Sequence, residues 1–323
     1  MKTKLFLLGL LVSAMTVAGQ TKNTADSKPE TWYFKLGGSY FMEATGTEFP
    51  VVNGQLPNSD VYAADGRTLV SRETNTGSFG QGFRTGITAG YRFTTRFGLE
   101  LGVNYFNSVD KLMVKTVNRS LTPPPTPATS FVSGTAEGQV TALDLNPAVV
   151  LFFAQNKKFE SYTKVGVILP IHGDLTIETN RTYTTPAGIT TAYAKEEVLP
   201  NPTLGFSGAL GTTYKLGKNI SLFAEIEYRN FTVGGDTKET KEYTENGVDK
   251  LNTPTSFREG TYSSNHTNYV EQLNSTSNHY LFNPNLASPY PTDTTRPNEA
   301  MNDISSYISI SGLGMTFGLK YSL

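Results

Sequence analysis

Eight stretches of the chain alternate between apolar residues and polar or small residues at every second position. A period of two is typical of a β-strand whose two faces meet different surroundings. The clearest case is SLFAEIEYRNF at residues 221–231, where one face is apolar and the other carries Glu225, Glu227 and Arg229. The pattern predicts an all-β chain of eight strands.

The connections between these strands differ sharply in length. Three are short, namely TTR at 94–96, AQNKK at 154–158 and GKN at 217–219. The others are long and cover about 45–82, 108–140, 172–202 and 233–304. Short turns that alternate with long loops are typical of outer-membrane barrels, in which the short turns are periplasmic and the long loops extracellular. We therefore expect residues 31–323 to form an eight-stranded antiparallel up-and-down transmembrane β-barrel with long extracellular loops.

The N-terminal residues predict export. Residues 1–19 contain Lys2 and Lys4, then an apolar run and then small residues, which is the pattern of a signal peptide. Residues 20–30 are polar and are interpreted as a short periplasmic lead. The sequence contains no cysteine, so no disulfide can form. The mature chain is therefore expected to be exported without disulfides.

In the predicted barrel, the apolar face of each strand meets lipid and the charged face points into the lumen. That inner face carries seven basic and six acidic side chains. Because buried charges must be paired, we predict a structural network of ion pairs that fills the lumen. Its predicted members are Lys35, Arg84, Arg92, Glu100, Lys164, Lys215, Glu225, Glu227, Arg229 and Lys320. The same face also holds Glu43, Asp144 and Glu160.

Several features of the strands and loops leave alternatives open. Two protruding hairpins are expected, one from 111–117 with 137–143 and one from 174–185 with 191–198. These β-prone segments also allow a wider barrel of ten or twelve strands, although both of their faces are polar. A soluble sandwich with polar strand faces is another alternative. Pro147 lies within the fourth strand and suggests a bulge or a local break in pairing.

The stretches LFAEIEYRNF and GMTFGLKYSL resemble the penultimate and last strands of the outer-membrane β-barrel domain family, the OmpA/OmpX-like eight-stranded barrels. The resemblance implies residence in the cell outer membrane of a Gram-negative bacterium, with outer-membrane lipid as surroundings. It also implies insertion by the barrel-assembly machinery, which reads an apolar and aromatic final strand. The positions that match this C-terminal assembly signal are Phe317, Leu319, Tyr321 and Leu323.

The candidate chemistry favours a protein that is not an enzyme. The net charge of −1 gives no electrostatic case for nucleic acid, and no residue pattern predicts a cofactor or a metal site. The leading hypothesis is a plugged barrel that displays extracellular loops for adhesion, surface interaction or docking to another outer-membrane component, including as an accessory subunit of a larger complex. One alternative is a small-solute channel. Another is a lipid-modifying enzyme at His172, next to Asp174.

Overall fold

The computed structural model describes residues 31–155, 158–201, 203–282 and 296–323. The predicted signal peptide at 1–19 and lead at 20–30 lie outside these residues. The described chain is almost entirely β-structure, with one short helix α1 (Tyr262–Asn265) and one 3-10 turn (Tyr280–Phe282). Within these ranges, no helix has the length and apolar character needed to span a membrane.

The strands follow the alternating segments and extend well beyond them. They are β1 (Thr31–Glu43), β2 (Thr47–Glu48), β3 (Asn58–Tyr62), β4 (Leu69–Thr74), β5 (Thr76–Gly77), β6 (Gly82–Arg92), β7 (Phe97–Ser108), β8 (Lys111–Ser120), β9 (Phe131–Gln155), β10 (Phe159–Thr185), β11 (Gly188–Asn201), β12 (Gly205–Lys215), β13 (Ile220–Asn230), β14 (Thr232–Glu245), β15 (Val248–Asp249), β16 (His266–Val270), β17 (Met301–Ile304), β18 (Tyr307–Ser309) and β19 (Gly312–Ser322).

Antiparallel pairing closes part of this sheet into a ring. The circuit runs through β1, β6, β7, β9, β10, β12 and β13 to β19. The circuit closes where β19 pairs with β1, from Tyr33 opposite Ser322 to Glu43 opposite Gly312. Closure leaves these strands without an unpaired edge. We call this circuit the ring.

The expectation of eight strands was too low for the sheet as a whole. Seventeen of the described strands belong to one sheet, and β2 and β5 form a separate pair. The reason is that the long connections keep pairing after they leave the ring. Strands β9 and β10 are 25 and 27 residues long and run without interruption from the ring into the connections. The all-β, antiparallel ring was predicted correctly, but the strand content of the loops was underestimated.

The parts beyond the ring form what we call the outer body: β2–β5, β8, residues 131–141 of β9, residues 169–185 of β10, β11 and β14–β18. The predicted hairpin of 174–185 with 191–198 is confirmed, since β10 pairs with β11 from Leu175↔Val198 to Thr185↔Gly188. The other hairpin forms with a largely different partner range, since β8 pairs with residues 131–138 of β9 rather than with 137–143. Strand β14, from the last long connection, pairs with β11 and widens the same sheet. Strands β3 and β4, from the first long connection, join this sheet where β3 pairs with β8. Thus all four long connections contribute strands to one extended sheet.

The outward face of the ring is apolar and exposed. Trp32 and Tyr91 pack with ring centroids 5.0 Å apart at the end with the short turns. Tyr40 and Phe83 pack at 4.9 Å at the opposite end. Aliphatic side chains such as Leu36, which is 60% exposed, lie between these aromatic pairs. An apolar band between two aromatic girdles is the surface that a bilayer and its interfaces require.

The prediction for Pro147 was a bulge or a local break in pairing, and the break is observed on one side: between Gly166↔Ala148 and Leu169↔Leu145, neither Pro147 nor Asn146 pairs with β10. Pro147 lies opposite Leu101 of β7 in an unbroken register. In the ladder between β9 and β10, the register shifts occur instead at Ser161/Tyr162 and at Pro170/His172. The second shift lies where β10 leaves the ring for the outer body.

Candidate functional site: the ring interior and the outer body

The middle of the ring holds two lysines between two glutamates. Lys35 Nζ lies 2.6 Å from Glu100 Oε1 and 3.0 Å from Glu225 Oε1. Lys164 Nζ contacts the same carboxylates at 3.6 Å and 2.6 Å. The four side chains come from β1, β7, β10 and β13, because residues of one parity in each strand point inward. They therefore connect opposite walls of the ring.

Two phenols complete this level and were not included in the predicted network. Tyr33 donates a hydrogen bond to Glu100 at 2.9 Å, and Tyr162 donates one to Glu225 at 2.6 Å. Space for the Tyr33 ring depends on Gly90, since a Cβ there would lie 2.2 Å from Tyr33 Cζ. Strand parity already placed both tyrosines on the inner face, and this signal could have identified them.

A second level lies towards the outer end of the ring. Arg84 donates two hydrogen bonds to Glu227, at 2.8 Å and 2.6 Å, in a fork that matches the carboxylate. Arg229 Nη2 lies 2.5 Å from Asp144 Oδ2, and Asn104 donates to the other oxygen of Asp144 at 2.9 Å. Each carboxylate here therefore has a cation and is held in a fixed orientation.

A third level closes the end of the ring where the short turns lie. Arg92 Nη1 lies 2.6 Å from Glu160 Oε1, and Lys320 Nζ lies 3.6 Å from Glu160 Oε2. The Arg92 guanidinium also stacks over the Phe152 ring at 4.0 Å. Cation–π contact of this kind strengthens when water is excluded.

The structure brings nine of the ten predicted network residues together. Lys215 is the exception and the prediction that included it was wrong, because its side chain is exposed at the last position of β12. Glu43 is likewise exposed and pairs with Lys111 at 2.6 Å outside the ring. Both have inward parity, but each lies at a strand end beyond the enclosed lumen. The ion pairs within the ring thus join six cations to five carboxylates.

The interior leaves little free space. One cavity of about 30 Å³ lies among the middle and outer levels, lined by residues such as Lys35, Arg84 and Glu225. A water molecule needs about 10–15 Å³ measured in this way. The cavity therefore has room for a few water molecules and none for a larger solute.

The outer end of the ring is closed by an apolar cluster. Phe106, Ala142, Ile168, Phe231 and Ile310 come from the outer ends of ring strands or from residues beside them and meet in this cluster. The remaining members come from the outer body and are Phe49, Val52, Phe79, Met113, Val114, Ala136, Val140, Leu175, Ile177, Val198 and Val233. Because it joins several walls of the ring, the cluster fills the mouth.

Residues 78–80 of the first long connection pack at this mouth against residues 309–312, which lead into β19. The Ser78 hydroxyl donates to the carbonyls of Ser309 and Ser311 at 3.1 Å and 2.8 Å. Gly80 lies so close to the opposite strand that a Cβ would be 2.0 Å from the Ser311 carbonyl oxygen. Phe79, between them, is fully buried. This segment is therefore held against the start of β19.

Comparison with known proteins identifies the family. A family model described as outer membrane protein beta-barrel domain matches residues 5–249. The chain belongs to this family. It is accordingly a protein of the cell outer membrane.

A solved outer-membrane protein is also similar to this outer-membrane barrel. The barrel's fold is similar to the crystal structure of the outer membrane protein OprG from Pseudomonas aeruginosa, with 10% identity and a TM-score of 0.39. That match covers 92% of this chain and 97% of the other. No curated protein matches the chain.

Within the barrel's outer body, a polar cluster around the buried Glu196 ties the first long connection to the main sheet. Lys238 Nζ lies 3.0 Å from Glu196 Oε1, and Asn53 donates to Glu196 at 3.0 Å while accepting from Lys238 at 3.0 Å. Burial raises the pKa of Glu196, but the Lys238 charge and the two hydrogen bonds outweigh burial and hold that pKa below its usual value. Burial opposes the charge on Lys238, but Glu196 outweighs it and raises the pKa of Lys238. No pattern in the sequence predicts this cluster, because its residues lie far apart in the chain.

The predicted assembly-signal residues lie on the outward face of β19. Phe317, Leu319, Tyr321 and Leu323 are all exposed, at 57%, 49%, 47% and 65%. Their neighbours of opposite parity, such as Lys320, point into the ring. The four side chains therefore form a continuous apolar stripe on the strand that closes the ring.

The remaining candidates for chemistry do not assemble. His172 is exposed, and the Asp174 carboxylate accepts hydrogen bonds from Thr141 and Thr176 at 2.5 Å and 3.3 Å. No hydrogen bond or ion pair between His172 and Asp174 occurs in the described structure. In the same ranges, no group of three or more His, Cys, Asp or Glu side chains lies close enough together to hold a metal ion.

Proposed function

We propose that the ring is an eight-stranded, membrane-spanning and closed barrel, and that the protein is not an enzyme but a carrier that displays the outer body at the cell surface. The observation that supports this proposal is that both the interior and the mouth of the ring are filled. Ion pairs occupy the lumen, and the apolar cluster covers its outer end. The outer body is then the surface available for interaction with other molecules.

The proposed function of the outer body is adhesion, surface interaction or docking to another outer-membrane component. Its strands continue the membrane ring without a hinge, since β9 and β10 belong to both regions. A sheet anchored in this way presents its surface in a fixed orientation to the bilayer. Such preorganisation lowers the entropy cost of binding a partner.

The channel alternative has less support. A conducting barrel needs a continuous polar passage, as in the wider porins. Here the cavity found within the lumen has a volume of about 30 Å³, and the buried side chains of Phe41, Phe79 and Phe106 lie towards the outer end. The enzyme alternative at His172 lacks a positioned acid, and unchanged lipids in a His172→Ala strain would remove it.

The orientation can be tested with single cysteines, because the sequence contains none of its own. Val248→Cys lies at an exposed tip of the outer body, and Lys218→Cys lies in an exposed short turn at the opposite end. On intact cells, a membrane-impermeant maleimide should label Val248→Cys. It should label Lys218→Cys only after the outer membrane is permeabilised. The reverse pattern would overturn the proposed orientation.

Closure and partnership need separate measurements. We expect purified protein to give no stable conductance steps in planar bilayers, and regular steps would favour a channel.

Purification in mild detergent followed by mass spectrometry tests docking. A stoichiometric outer-membrane protein that is lost when the outer body is shaved by protease would support a subunit role. A clean monomer would favour a self-standing surface protein.

A further inference from the structure

The outer body contains a groove of about 560 Å³ that none of the functions above uses. It crosses five neighbouring strands, β8, β9, β10, β11 and β14. The register places one side chain from each strand in a single transverse row: Lys115, Thr135, Asn180, Tyr193 and Thr244. The groove is therefore lined by a row of aligned side chains. Its volume falls within the range of small-molecule binding sites.

A second row runs parallel to the first and consists of Ser133, Thr182 and Thr191. Strands lie about 4.8 Å apart, and side chains on one face of a strand repeat about every 6.7 Å. The two rows thus form a grid of hydroxyl and amide groups about 19 Å across. Such groups both donate and accept hydrogen bonds, which suits a ligand that carries many hydroxyls.

The charges near the groove have no positive excess. Lys115 and Arg181 line it. The next transverse row carries one lysine and three glutamates, namely Lys195, Glu137, Glu178 and Glu242. Asp249 extends the first row opposite Thr244. Three cations and four carboxylates therefore leave no net positive charge to attract an anion. The grid therefore favours a neutral ligand over an anionic one.

Tyr193 supplies an aromatic surface in the first row, next to the central Asn180. It is partly buried, and burial together with Glu178 and Glu242 raises the pKa of its hydroxyl. A neutral phenol has an apolar ring and a polar tip, so it can pack against a ring and donate a hydrogen bond at the same time. Sugar rings present this combination of an apolar face and a hydroxyl rim.

We propose that this groove binds a neutral, hydroxyl-rich glycan chain. This inference rests on the proposed display function, because the groove must face the cell exterior. Asn180 lies beyond Ile168, the last β10 residue paired within the ring, by roughly 40 Å along the strand. The groove therefore lies clear of the apolar band and within reach of surface polysaccharide.

The test is binding of purified full-length protein to defined saccharides in an amine-oxide detergent, which has no sugar head group to compete. The probes are neutral glucan, mannan and galactan hexasaccharides, with oligogalacturonate as the anionic comparison, measured by calorimetry. We expect at least one neutral hexasaccharide to bind. Tyr193→Ala and Asn180→Ala should each weaken that binding by about tenfold, the loss of one good contact.

Control variants separate binding from folding. Tyr193→Phe keeps the ring and should retain most of the affinity, and Asn268→Ala changes an exposed strand asparagine outside the groove and should leave it unchanged. The inference is overturned if no neutral probe binds, if only oligogalacturonate binds, or if the groove variants bind like the parent. Labelling of Val248→Cys on intact cells then distinguishes failure of this inference alone from failure of the display function.

Discussion

The ring and the outer body are built from the same alternating strands but bury opposite faces. In the ring, charged side chains such as Lys35 and Glu225 are enclosed while Leu36 and Ile226 are exposed. In the outer body, Leu175 and Ile177 are enclosed and polar residues such as Asn180 face outward. The surroundings decide which face is inside, because lipid accepts the apolar face and water accepts the polar one. Alternation alone therefore predicts a two-faced strand and not the direction in which it points.

The two regions should also differ in what stabilises them. The ring depends on pairing of charges that are already out of water, where loss of one partner is costly. The outer body depends mainly on apolar burial, where the cost scales with the volume removed. A substitution that affects only charge pairing or only apolar burial should therefore destabilise one region more than the other.

The largest effect is expected from Glu225→Ala. It leaves Lys35 and Lys164 each with one fewer carboxylate and removes the acceptor for Tyr162. We expect a loss of about 3–5 kcal/mol in the free energy of unfolding, measured by urea titration in detergent with the heat-modifiable band on gels as readout. Glu239→Gln breaks an exposed pair with Lys241 and should cost less than about 1 kcal/mol. Equal costs would contradict the contrast between the regions.

Phe79→Ala should act on the outer body and spare the ring. The side chain is fully buried in the apolar cluster, and its removal is expected to cost about 3–5 kcal/mol of local stability. Protease should then cut the outer body at much lower concentrations. The heat-modifiable ring should keep its urea midpoint. A midpoint that falls as far as in Glu225→Ala would show that the regions unfold as one unit.

A paired replacement should be milder than either single change. Arg84→Met or Glu227→Leu alone leaves a buried charge, which costs about 3–5 kcal/mol. The double variant removes both charges together and should remain within about 2 kcal/mol of the parent. A double-mutant cycle measures the coupling directly. Additive losses would mean that the fork between Arg84 and Glu227 contributes nothing specific to the ring.

The smallest effect is a dependence on pH in the outer body. The pKa of Glu196 is held below its usual 4.5 in the folded protein. Its contribution is therefore present above pH 4.5 and is lost as the pH falls through the depressed value. Lys238, whose pKa is raised above 10.5, loses its contribution only at higher pH. Pepsin cleavage of the outer body should increase below pH 4.5, and Glu196→Gln should remove this increment while Glu197→Gln should not.

Much of the ring could be predicted from the sequence, because two independent patterns indicate the same barrel. One is the alternation of apolar and polar residues within strands, and the other is the alternation of short and long connections. The same parity placed nine of the ten network residues correctly. It failed for Lys215 because parity gives the face of a strand and not the height at which the lumen ends. Two clusters could not be predicted: the apolar cluster at the outer end of the ring, and the polar cluster of Asn53, Glu196 and Lys238. Both join residues that are distant in the chain and follow no periodic pattern.

The ion pairs of the ring also constrain the order of assembly. Lys35 on β1 pairs with Glu225 on β13, and Arg84 on β6 pairs with Glu227 on β13, although neither pair joins adjacent strands. While the sheet is still open, these groups lie on a flat surface too far apart to meet. A half-built barrel consequently presents these charges on an inner surface that must stay hydrated or shielded from lipid, and the pairs that cross the seam are neutralised only when β19 joins β1. Ring closure and burial of charge are thus a single cooperative step.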